Sequence, residues 1–246
     1  MRRLLLVPII HTEADLGSLA PGIEQATASL CGEERWAEHR EAVAGFWRAI
    51  EDYLASLDAA GLKIYQDGLA AEGDLGRRVI EEGVRRGSRN YQIVLGLMNR
   101  GAEIRTTEDA SLLLEEYHQI AGLAGEGPQA RVGGVAEERT TGEGASRYAA
   151  YELRKEILTK KRDRFIAARV NDSLKDGETA VLFIGAYHDV GSHLAKDIVV
   201  RALKEPEKVR AYFQELFAGR DSDGFRQRTD YLVAPVEGSE GRAAGP

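Results

Sequence analysis

Two histidines each follow an apolar run. His11 closes "LLLVPII" and His188 comes just after "AVLFIGAY". Imidazole titrates near neutral pH, and a neighbouring carboxylate can orient it, so such pairs can move protons. The same residue types also bind a divalent ion and activate water. Carboxylates stand at comparable positions. "LKIYQDG" ends in Gln66 and Asp67, and "AEIRTTED" ends in Thr106, Thr107, Glu108 and Asp109. The chemistry expected of His11, His188, Asp67 and Glu108 is hydrolysis of an ester or amide bond. His11 and His188 would act as general bases or as ligands of one divalent metal ion, and Asp67 or Glu108 would orient them. No HExxH, CxxC pair, GxSxG, P-loop or GxGxxG occurs in the chain, so no short motif selects between these routes.

These groups can meet only if strands deliver them to one edge. Continuous apolar runs at 4–10 and 179–188 are typical of strands covered on both faces, and shorter runs lie near 62–68 and 102–109. Helices are predicted at about 33–57, 75–86, 87–101, 145–175 and 205–219, with another after an Asp109 or Ser111 cap that runs to about 120. The stretch 192–203 is ambiguous between helix and strand, and 229–236 is expected as a last short strand. Strands alternating with helices predict an α/β layered fold with a mostly parallel central sheet flanked by long helices. In such sheets functional groups gather where strands end. His11 and His188 should therefore share one hollow with the carboxylates.

A single α/β domain over 1–236 is expected. It contains a Gly- and charge-rich flexible segment at about 122–144 and is followed by a disordered tail at 237–246. His39 and His118 fall on helix faces, and His193 could join His188 as a third partner. The basic run around "RKEILTKKRDRF" reads as a solvated face, or, as the sharper alternative, Arg162 at the boundary of the buried face turns inward to hold an anionic group bidentately. The stripe of Trp36, Phe46 and Trp47 is expected to be core, with a homo-oligomer interface as the alternative.

A net charge of −7 argues against general nucleic-acid binding. The apolar start is too short for a membrane span and lacks a cleavage site, so no membrane partner is expected. One cysteine, Cys31, fits a cytoplasmic setting without disulfides. The partner expected is a small-molecule or peptide substrate.

The segment 161–191, "KRDRFIAARVNDSLKDGETAVLFIGAYHDVG", resembles the C-terminal signature of TraB/GumN-like proteins and the related erythromycin-esterase-like and ChaN-like groups. There an Arg-Asp pair opens a helix that runs to a glycine turn, an apolar strand and Gly-x-x-His. The matching positions are Arg162, Asp163, Gly177, Val181 to Ile184, Gly185 and His188, with His11 matching a first-strand histidine. Asp67 or Glu108 would replace the glutamate those families carry after the second strand. The resemblance implies an α/β core with a histidine- and carboxylate-lined crevice, used for esterase-like or metal-dependent peptidase hydrolysis or for binding a larger ligand; the alternative reading is a non-enzymatic protein of the same fold that binds a metal, cofactor or metabolite.

Overall fold

The structure is a computed structural model describing residues 1–16, 27–115, 142–218 and 222–237. Five strands form one parallel sheet: β1 (Arg2–Ile9), β2 (Lys63–Gln66), β3 (Glu103–Arg105), β4 (Thr179–Gly185) and β5 (Ile198–Ala202), in the order β3-β2-β4-β1-β5. Six principal helices accompany them: α1 (Glu33–Ala55), α2 (Gly73–Arg85), α3 (Arg89–Asn99), α4 (Gly142–Ser173), α5 (Pro206–Ala218) and α6 (Ser222–Val233). The α/β class expected from the sequence is the one observed, and every strand pairing is parallel.

Alternation along the strands divides the core in two. Leu5, Val7, Ile9, Ile64, Val181 and Phe183 face one way, into a cluster completed by α1, α3, α5 and α6. Leu4, Tyr65, Ala180, Leu182 and Ile184 face the other way, onto Ile166, Ala167 and Val170 of α4 and Leu174 just beyond it. Burying Ile166, Val170 and Leu174 contributes on the order of 5–9 kcal/mol before conformational entropy is counted. The connections from β1 to β2 and from β2 to β3 run towards one end of the sheet, with helices on the first face. The β3-to-β4 connection runs the opposite way and carries α4 on the second. One hand of crossover requires this division.

Phe46 and Trp47 are fully buried and belong to the core, whereas Trp36 at the start of the stripe is only half-buried. The Trp47 indole also donates to the Ile10 carbonyl at 3.0 Å, which fixes the chain where it leaves β1. His39 is buried too, stacked on Trp36 and bonded through Nδ1 to the Tyr212 hydroxyl at 2.8 Å. Burial pushes its pKa down to about 4.

Two assignments change. The stretch 192–203 resolves into a 3₁₀ turn at Gly191–His193 and strand β5. The strand expected at 229–236 is instead the end of α6, which packs on α1 and α5. Its apolar residues Phe225 and Leu232 recur two turns apart and are both buried, a helical period that a window opening at Thr229 cannot show. His118, most of the flexible segment placed at 122–144, and residues 238–246 of the tail lie outside the described residues.

Candidate functional site

Strands β2 and β4 are neighbours whose onward connections leave in opposite directions, β2 towards β3 and β4 over β1 towards β5. Crevices open at such points, beyond the carboxyl ends of the strands. Here Asp67 ends β2, and its Oδ2 accepts from the Gly185 N–H at the end of β4, at 3.1 Å. Gly68 follows with φ +78°, a backbone turn that favours glycine. Its N–H donates to Glu108 Oε1 at 3.3 Å, which brings in the end of β3.

Helix α4 supplies the opposite charge. Arg162 donates from Nε to both Glu108 oxygens at 3.2 and 3.1 Å. Its Nη2 donates to Glu108 Oε1 at 2.7 Å and to Asp67 Oδ1 at 2.8 Å. The Glu108 side chain is fully buried, and those of Arg162 and Asp67 are 10% and 16% exposed. Burial raises the Glu108 pKa, and the hydrogen bonds and charge of Arg162 only partly oppose that rise. The next residue, Asp163, points to β4. Its Oδ1 meets His188 Nδ1 at 2.5 Å, and its Oδ2 accepts from the Asp189 N–H at 3.0 Å. His188 Nε2 lies 3.6 Å from Asp67 Oδ2. Glu108, Arg162, Asp67, His188 and Asp163 therefore form one continuous cluster.

Burial on its own would lower the pKa of His188. The Asp163 hydrogen bond and the charges of Asp67 and Asp163 outweigh it against a smaller opposing effect from Arg162, so the net shift is upward. The imidazole, set between two carboxylates, therefore holds its proton to higher pH than a free one does.

A cavity of about 710 Å³ opens beside this cluster. Asp67 and Arg162 reach it, and His11 and Asp15 line it from the β1 side. Its far wall comes from α2 and α3, with Arg78, Arg86, Asn90 and Tyr91. Tyr91 sits directly on Gly83, where any Cβ would overlap its ring. Burial raises the pKa of the Tyr91 phenol, and the charges of Asp15 and Asp67 add to that, so the hydroxyl keeps its proton as a donor.

The structure thus joins Asp67, Glu108, Arg162 and His188 directly, and it puts His11 in the cavity that Asp67 borders. Ile9 of β1 pairs with Gly185 of β4, so both histidines leave from the same edge of the sheet. Among the described residues, no hydrogen bond or ring contact joins the two imidazoles. His11 is exposed to the cavity, whereas His188 is buried against Asp67 and Asp163. Arg162 turns inward rather than lying on a solvated face, and its Nε and Nη2 are committed to Glu108 and Asp67. His193 is exposed on the 3₁₀ turn and takes no part in the cluster. Asp163, Asn90 and Tyr91 are members that the sequence did not single out for chemistry. The first entered the sequence reading only as a matching position of the family resemblance, beside Arg162.

The donor set does not fit a divalent ion well. The Arg162 guanidinium already occupies the position between Asp67 and Glu108. Among the described residues, no three His, Cys, Asp or Glu side chains converge as metal ligands. Also among the described residues, no helix is long and apolar enough to cross a membrane. No family model, curated protein or solved structure matches the chain.

Proposed function

We propose that the protein hydrolyses an ester or amide bond in this cavity, by proton transfer from water without a metal. The observation that carries the reading is the clamped carboxylate of Asp67 at the cavity edge, which shares its walls with His11 and with the protonated phenol of Tyr91. His11 accepts a proton from water as the water oxygen attacks the carbonyl carbon. The Tyr91 hydroxyl donates to the oxyanion that forms. As the C–O or C–N bond breaks, His11 returns the proton to the leaving oxygen or nitrogen. Asp67 stabilises the transient imidazolium on His11. Arg162, Glu108, His188 and Asp163 are positioning residues that hold Asp67 in place. The residues that carry the TraB/GumN-like resemblance include Arg162, Asp163, Gly185 and His188, all of them tied into this cluster, which supports placing the chain near those families.

The test is a panel of small esters and amides assayed with wild type, His11→Asn and Asp67→Asn. Turnover that falls at least a hundredfold in both variants is expected. No turnover of any panel member, or turnover indifferent to both substitutions, overturns the reading. One observation favours a second reading, a non-enzymatic metabolite-binding protein. Both oxygens of Asp67 already accept hydrogen bonds, which suits a fixed recognition group as well as a stabilising one.

A further inference from the structure

The hydrogen-bond chain along the cavity lining has a fixed direction. The Asp67 carbonyl can only accept, and it takes a hydrogen bond from Gln66 Nε2 at 3.3 Å. Gln66 Oε1 must therefore accept as well, and it does so from Asn90 Nδ2 at 3.1 Å. That leaves Asn90 Oδ1 as an acceptor, buried and without a hydrogen-bond partner among the described residues, on a residue that lines the cavity and is 4% exposed. Flipping the Asn90 amide would set two acceptors against each other, so the orphan is fixed by the chain. A buried acceptor left unpaired is costly, and a donor that reaches it recovers that cost.

The rim has a different character. Arg78 of α2 is exposed, lines the cavity and has no ion pair among the described residues. Arg86, one face along, is held to Glu82 through Nε at 3.3 Å. Val79 and Ala14 add apolar surface to the lining.

We propose that the ligand of this cavity is an N-acylated amino acid or short peptide, whose amide N–H donates to Asn90 Oδ1 and whose free carboxylate is held by Arg78. The proposal rests on the hydrolase reading for its scissile amide, and it names the substrate class. Protein atoms cover Oδ1, so the Asn90 amide turns towards the incoming donor while keeping its bond to Gln66. Asn90 is then a specificity residue that rejects ligands lacking the N–H, because these leave the acceptor unpaired.

Three probes test this on the full-length protein by ligand-observed NMR titration: N-acetylleucine, its N-methylated analogue, and N-acetylleucinamide. N-acetylleucine is expected to bind best. N-methylation should weaken binding about tenfold or more, and replacing the carboxylate by the amide should weaken it several-fold. Arg78→Gln should abolish the preference for the carboxylate and leave the N–H preference intact. Asn90→Leu should do the reverse, and the wild-type ranking decides the matter even if that variant fails to fold. Equal binding of parent and N-methyl analogue, or no binding of any probe, overturns the proposal. If the ester and amide panel is turned over but the probes show no ranking, the substrate class fails and the hydrolase reading stands. If the ranking appears and no amide or ester is hydrolysed, the class stands for a binding protein and the hydrolase reading fails.

Discussion

Replacing Arg162 with methionine removes one cation from between two carboxylates and leaves a side chain of similar length. Glu108 is then a fully buried carboxylate whose remaining side-chain hydrogen bond is from the Gly68 N–H, and Asp67 loses its shortest partner. Stranding one partner of a buried ion pair costs about 3–5 kcal/mol. For a chain of this size, each kcal/mol lowers the melting temperature by about 2–4 °C, so a loss near 4 kcal/mol amounts to roughly 8–16 °C. The loss should also depend on pH. Burial already holds the Glu108 pKa above its ordinary 4.5, and removing Arg162 removes the main influence opposing that rise. A carboxyl whose folded pKa is raised prefers its proton in the folded state. The penalty is therefore full above the folded pKa and is relieved as pH falls towards the unfolded value. Urea unfolding of wild type and Arg162→Met at pH 8 and pH 5 should show the larger difference at pH 8. Adding Glu108→Gln should recover about 1 kcal/mol or more at pH 8, because the stranded charge is gone. A loss below about 1 kcal/mol that does not vary with pH would refute the view that Arg162 neutralises a buried pair of acids.

Three further outcomes are expected. His39, depressed from 6.5 to about 4, stays neutral in the folded state while the unfolded chain takes up a proton first. Its stabilising contribution is complete above pH 6.5 and is lost as pH falls to 4, by about 3 kcal/mol in total. His39→Gln should flatten that part of the stability–pH profile, measured by urea unfolding, and an unchanged slope would contradict the assignment. His188 is raised, so its contribution is full below 6.5 and disappears as pH rises through its folded pKa. In Asp163→Asn the imidazole resonances should titrate at lower pH than in wild type, as followed by NMR; no movement would show that Asp163 does not hold the proton. Gly83→Ala gains about 1 kcal/mol of helix propensity but drives a methyl into the Tyr91 ring. A net loss of about 1–3 kcal/mol is expected in thermal unfolding, together with loss of any hydrolysis that depends on Tyr91.

The strands and helices were legible where burial is one-sided or complete. The runs "LLLVPII" and "AVLFIG" have no polar break because β1 and β4 are central and covered on both faces. Residues 192–203 resisted assignment because β5 is an edge strand with Val199 and Val200 exposed, which blurs any alternation. The C-terminal "TDYLVAPV" suggested a strand because its helical partners lie upstream, at Phe225. For the site, strand ends located Asp67, Glu108 and His188, and the charge boundary on α4 located Arg162. The outward fate of His11 and the inward fate of His188 depend on the loop geometry after each strand, which residue types do not encode. The cavity wall of Asn90 and Tyr91 escaped notice because on a helix such residues look like any amphipathic face.

The order of synthesis gives the α4 clamp a further meaning. Both acids that need a cation, at positions 67 and 108, leave the ribosome before their arginine does, which follows 95 and 54 residues later. A nascent chain ending short of α4 would have to keep those acids hydrated or protonated, and β2 and β3 could not dock fully. The sheet edge that carries the cluster can close only when the second half of the polypeptide arrives, so truncated products should be left with an open, acid-lined seam for quality-control proteases to grip.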